Sequence, residues 1–161
     1  MMLRFFKNHF GIVVSIVIAL ILSISMATTA IFYDKLDFSI ELLVRNWGTA
    51  FLTIMLITVL LPVKQWGDML ATKIGLKPKT FPFGLFSNLV PTLFYNTGAT
   101  LVLVGVNVPG GFAAPFYWDA FKHDFLMMYA VSYVLSLIAE AIAVKIAIAS
   151  CMAEKHLEEH V

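Results

Sequence analysis

The chain has 161 residues, 60% hydrophobic and 13% charged, with a mean hydropathy of +0.89; soluble domains hold about 45–50% apolar and about 25% charged residues. A net charge of +1 with no basic run excludes a nucleic-acid grip, and one cysteine excludes an intramolecular disulfide or a four-cysteine zinc site. The composition therefore predicts one all-α integral membrane domain, residues 1–161, whose first partner is the lipid bilayer.

A bilayer core ~30 Å thick takes about 20 apolar residues in a helix. Four segments of about that length qualify. The first covers about 11–32 and carries no charge. Its basic start and the run Ala27-Thr28-Thr29-Ala30 suggest a leader. However, an apolar run of roughly 20 residues exceeds the about 7–15 of a signal peptide, so a retained helix is expected. The second covers about 47–63 and closes at Pro62. The third covers about 83–106 and contains Pro91, which leaves a carbonyl without its donor near Ser87. The fourth covers about 125–151 and carries Glu140 and Lys145. Short connections make a four-transmembrane-helix bundle the expected architecture.

Orientation follows from the basic residues. Arg4, Lys7, Lys64, Lys73, Lys77, Lys79, Lys145 and Lys155 fall on one side, against Lys35, Arg45 and Lys122 on the other. Eight against three predicts both termini and the middle loop in the cytoplasm, hence N-in/C-in. Tyr33, Trp47, Tyr117 and Trp118 suit an interfacial belt on the outer face.

The two halves, about 1–75 and about 80–161, resemble each other. Phe10-Gly11 matches Phe83-Gly84, and at that offset Ser15, Ala19 and Ser23 fall on Asn88, Thr92 and Asn96. Each set is spaced i, i+4, i+8 and forms one stripe on a helix. Both halves start on the same side, so these are parallel two-helix repeats. The half-unit pairs a Ser-rich first helix (Ser23-Ile24-Ser25-Met26-Ala27) with a Trp early in the second, which ends on Leu61-Pro62-Val63-Lys64. This pattern resembles a family of small bacterial inner-membrane proteins catalogued as a domain of unknown function, some of which carry the unit twice. The second copy, with Ser87-Asn88 and with Glu140 through Lys145, lacks the terminal proline. The resemblance implies a location in the inner membrane and a topology, and no activity.

Glu140 is the residue that composition explains least, because an ionisable group inside a span is costly. At ~100° per residue, Tyr129, Tyr133, Ser136 and Glu140 share one face within about 60°. Counting ~1.5 Å per residue, Glu140 lies about 22 Å inward of Phe125, at the depth of Ser15, Asn88 and Lys64. A polar cluster of Glu140, Asn88, Lys64, Ser15, Asn96, Tyr133 and Ser136 is expected. It is either a structural knot or a proton or cation site. The stripes Ser15, Ala19, Ser23, Ala27 and Ala139, Ala143, Ala147, Cys151 are expected to be packing seams, inside the chain or toward a second copy.

His156-Leu157-Glu158-Glu159-His160 fits the H-x-x-E-H metalloprotease spacing, but a frayed helix end is the simpler reading. His123 beside Asp119 and Asp124 has the chemistry to bind a metal, but an ordinary exposed loop histidine is the simpler reading. No catalytic, cofactor-binding or metal residues are therefore assigned, and no enzyme activity is expected. The leading expectation is a non-catalytic assembly or interaction role. The alternative is a small oligomeric transporter or channel acting on an ion or small molecule through the cluster around Glu140.

Overall fold

The computed structural model describes the backbone of residues 2–78 and 80–158, and side chains from 13 to 149 apart from residue 79, together with Phe10. The described residues form α1 (Met2–Tyr33), α2 (Ile40–Leu60), α3 (Val63–Lys73), α4 (Phe81–Asn107) and α5 (Tyr117–Glu158), plus a short 3-10 turn at Gly111–Ala113. Four of these helices, all but α3, are long and apolar enough to cross a membrane.

Local chemistry explains where the helices begin and end. The Ser39 hydroxyl accepts a hydrogen bond from Leu42 N at 3.0 Å and caps α2. The helix thus starts at Ile40 and not near residue 47, and Trp47 lies two turns inside it. In the same way α5 starts at Tyr117, eight residues earlier than its apolar run suggests. Interfacial helix turns rich in charge and aromatics escape a hydropathy window. Leu61 adopts an extended conformation (φ −124°, ψ 132°) because the following proline disfavours the helical region, and α2 stops at Leu60.

The chain does not then leave the bundle. Instead of the expected loop it forms α3, which packs along the first half of α4. Trp66 meets Phe94 with ring centroids 5.4 Å apart. Gly67 lies against the Ser87 carbonyl and Pro91. The Ser87 carbonyl is the one that Pro91, lacking an N–H, leaves without its helical donor.

The long helices close into a ring in which α1 and α4 each neighbour both α2 and α5. Ala19, Leu22, Met26, Ala30, Ala50, Ile54, Ala99, Leu103 and Met128 fill its centre. Large apolar side chains such as Leu52, Leu56, Val59, Leu126 and Val134 point outward.

Most of both small-residue stripes is buried within this single chain; Ser15 is half-buried, and Cys151 lies outside the residues whose side chains are described. Ala19, Ser23, Ala27, Ala139 and Ala143 have no exposed area, and Ala147 has 1%. Small residues let backbones approach, and close packing is what associates helices in lipid. Ser23→Leu is expected to overpack this contact by roughly 1–3 kcal/mol. Thermal unfolding in detergent is the readout, and an unchanged midpoint would contradict a close contact at Ser23.

Candidate functional site

The break at Leu61-Pro62 decides where Lys64, the cation paired with Glu140, stands. Thr58, on the last turn of α2, donates to the Tyr95 hydroxyl at 3.1 Å. Gly67, five residues past Pro62, is level with Ser87 and Pro91. The break therefore falls beside the middle of α4. Lys64, on the first turn of α3, is carried roughly 10–20 Å in from the start of α4 at ~1.5 Å per residue. It does not end the second span or belong to the middle loop, as the sequence reading has it.

Lys64 Nζ donates to Glu140 Oε1 at 2.7 Å and to Ser87 Oγ at 3.0 Å. The second Glu140 oxygen accepts from Asn88 Nδ2 at 2.5 Å. Ser87 Oγ in turn donates to Asp68, whose carboxylate lies 3.7 Å from Lys64 Nζ. One ammonium is thus shared between two carboxylates. The nearer belongs to α5 and the farther to α3 itself, one turn on.

Two hollows meet at this pair. A cavity of about 350 Å³ lies on its bundle side, lined by Ser15, Asn88, Thr92, Tyr95 and Ser136 as well as Lys64 and Glu140. A more open groove of about 800 Å³ lies on the other side, where Lys64, Asp68 and Glu140 are joined by Lys145. Above the cavity, Thr92 Oγ1 donates to Ser136 Oγ at 3.0 Å. Beyond that bond Met26, Leu103 and Met128 are at most 2% exposed, which closes the bundle toward its other end.

The expected cluster therefore divides. Glu140, Asn88, Lys64, Ser15 and Ser136 line the one cavity. Asn96 and Tyr133 do not, and this corrects the sequence reading. Asn96 lies two turns farther along α4 than Asn88, with its amide on the Phe125 carbonyl at 3.2 Å and near Ser132 and Thr100. Tyr133 sits on the α4–α5 seam and donates to the Leu85 carbonyl at 3.0 Å. Their faces were right, but a helical wheel does not fix depth or the side of a seam.

Asp68, Ser87, Thr58 and Tyr95 were missed. Asp68 carries no signal of its own in the sequence because Val63–Lys73 is too polar and too short to stand out as a helix. An 11-residue amphipathic segment between Pro62 and Gly75 was the available signal. His156, Cys151 and Lys155 lie outside the residues whose side chains are described, and Lys79 and His160 outside the described residues altogether.

Compared with family models, with curated proteins and with solved structures, the chain matches none. Its resemblance to a two-helix family rests on its own residues alone.

Proposed function

We propose that this chain is a multi-pass inner-membrane protein that binds and moves a proton or small cation through the Lys64–Glu140 site, with both termini cytoplasmic. The observation that carries this reading is the ion pair standing between two hollows, one enclosed in the bundle and one open at its end. A purely structural knot needs neither hollow. The buried small residues of the two stripes pack inside one chain and lend no support to assembly with a second copy.

The chemistry follows from the shared lysine. When Glu140 is ionised it holds Lys64 at 2.7 Å, and the pair separates cavity from groove. When Glu140 takes up a proton that attraction is lost. Asp68, 3.7 Å away and linked through Ser87, is then the stronger partner for Lys64. A long flexible side chain makes the transfer by rotation alone. Glu140 would thus take up a proton from one hollow while Lys64 moves to Asp68, and release it to the other as Lys64 returns. Broken helices with polar groups at the break are a recurring transporter device, and the α2–α3 break beside Pro91 has that form.

The ring order supports two parallel repeats. A twofold axis along the bundle would exchange α1 with α4 and α2 with α5, and those are the two diagonals. The matched stripe Ser15, Ala19, Ser23 and Asn88, Thr92, Asn96 accordingly faces inward on opposed helices.

Cysteine labelling tests orientation and access together. In a Cys151→Ala background, Lys77→Cys and Pro109→Cys are expected to react with an impermeant thiol reagent from opposite faces. Ser15→Cys, in the cavity, should react from the Lys77 side. Reaction of Ser15→Cys only from the Pro109 side would contradict the proposed direction of opening, and no reaction from either side would contradict a wet cavity.

A further inference from the structure

We propose that the opposite end of the bundle carries a binding site for a divalent transition-metal ion, formed by Asp34, His123 and Asp124. The inference is independent of the transport reading, since no residue is shared with the Lys64–Glu140 site.

The site begins with the way α1 ends. Asp34 N donates to the Ala30 carbonyl at 3.0 Å and Leu36 N to the Ile31 carbonyl at 2.9 Å, with Lys35 in the left-handed region at φ 53°. This is a Schellman-type stop. It turns the chain at once and brings Asp34 to the first turns of α5. The Tyr33 ring stacks on the His123 imidazole, centroids 5.0 Å apart, and fixes the level of the two helices. Asp124 Oδ1 lies 2.9 Å from His123 Nδ1.

One ligating atom from each of Asp34, His123 and Asp124 lies within 4.8 Å of those of the other two. Around a tetrahedral ion with bonds of about 2.1 Å, donors stand about 3.4 Å apart. Asp34 is on a turn, so a small side-chain rotation closes the difference. One imidazole nitrogen with two carboxylate oxygens suits zinc and its first-row neighbours, and three protein ligands leave a position for water. Calcium, which takes six to eight oxygens, is poorly served by this set.

Electrostatics points the same way. The Asp124 side chain is 7% exposed, a carboxylate held almost wholly out of water. Burial and the adjacent Asp124 push Asp34 up to about 6, against the pull of His123. Lys122, the neighbouring cation on α5, is 73% exposed and pairs with Asp119 at 3.5 Å, away from this cluster. Two crowded carboxylates beside one imidazole are relieved by a divalent cation held among them. The sequence reading paired His123 with Asp119 and Asp124; the turn after α1 substitutes Asp34 for Asp119.

A bound ion would join the α1–α2 turn to α5, so occupancy should show as stability as well as binding. The experiment uses the full-length protein in detergent, stripped with a chelator and titrated with Co²⁺ as an optical probe and Zn²⁺ as competitor. The expected result is saturable binding with tetrahedral cobalt absorption, displacement by zinc, and a raised unfolding midpoint with either ion. His123→Gln and Asp34→Asn alter exposed or half-buried groups and should keep the fold while weakening the cobalt affinity about 100-fold. A His156→Gln/His160→Gln double variant should retain it. Absence of binding, affinity unchanged in His123→Gln and Asp34→Asn, or loss of binding only in the double variant would each overturn the site. Equal stabilisation by Mg²⁺ or Ca²⁺ would overturn the transition-metal assignment.

Discussion

Gly67→Ala is expected to destabilise the protein by roughly 1–3 kcal/mol and to move Lys64 out of the site. A Cβ built at Gly67 would stand 2.0 Å from the Ser87 carbonyl oxygen and 3.1 Å from Pro91 Cδ. Neither atom belongs to a flexible chain end, so α3 itself must move away from α4. Since α3 carries Lys64 and Asp68, that movement would also pull both from Ser87 and Glu140. Gly98→Ala is the control. Its Cβ would meet Ile57 Cδ1 at 2.5 Å, the far end of a side chain that can rotate. Both changes gain the ~1 kcal/mol of helix propensity that alanine has over glycine. The difference between the two unfolding midpoints therefore isolates the α3–α4 contact. Equal midpoints would mean that α3 is not seated on α4 as described.

Glu140→Gln is expected to leave the fold standing and to remove proton-dependent function completely. Glutamine has the same shape, but only one carbonyl oxygen for the two donors that converge on Glu140. The Asn88 amide can keep that oxygen, while Lys64 keeps Ser87 and turns to Asp68. Interhelical hydrogen bonds in membranes average ~0.6 kcal/mol, so the loss of stability should stay within about 1 kcal/mol. The functional loss is larger in kind. An amide neither releases a proton nor holds an ammonium with full charge, so Lys64 would settle toward Asp68 in all conditions. Unfolding measured in detergent gives the first half of this expectation. A loss of several kcal/mol would show that the pair is a structural element before anything else.

Much of this arrangement was legible in the residues. Four long apolar runs separated by short polar segments announce four long apolar helices, because lipid demands both length and internal hydrogen bonding. The polar face of α5 was legible from the spacing of Tyr129, Tyr133, Ser136 and Glu140, since side-chain direction repeats with the helix. α3 was not legible by the same means. Val63–Lys73 is too polar for a span and too short to stand out as a helix, and its seat depends on Gly67 meeting Pro91 from another segment. Helix ends were misplaced for a related reason: Ser39 and Tyr117 start their helices in polar surroundings, outside the apolar window. The division of the polar cluster could not be read either. Whether Asn96 joins Asn88 depends on the tilt and depth of neighbouring helices, which one helix's periodicity does not contain. Asp34 meets His123 only because α1 stops in a tight turn at Lys35, a position with no glycine to announce it.

The central claim is that Glu140 carries a proton between cavity and groove, with Lys64 passing to Asp68 while Glu140 is protonated. Proton flux in proteoliposomes tests it most directly, with an entrapped pH-sensitive dye, an imposed pH gradient, and wild type measured beside Glu140→Gln at matched protein content. The predicted result is dye acidification in wild-type vesicles well above that of protein-free vesicles, falling to the protein-free rate in Glu140→Gln. Wild-type flux at the protein-free rate, or flux that Glu140→Gln leaves unchanged, would contradict it.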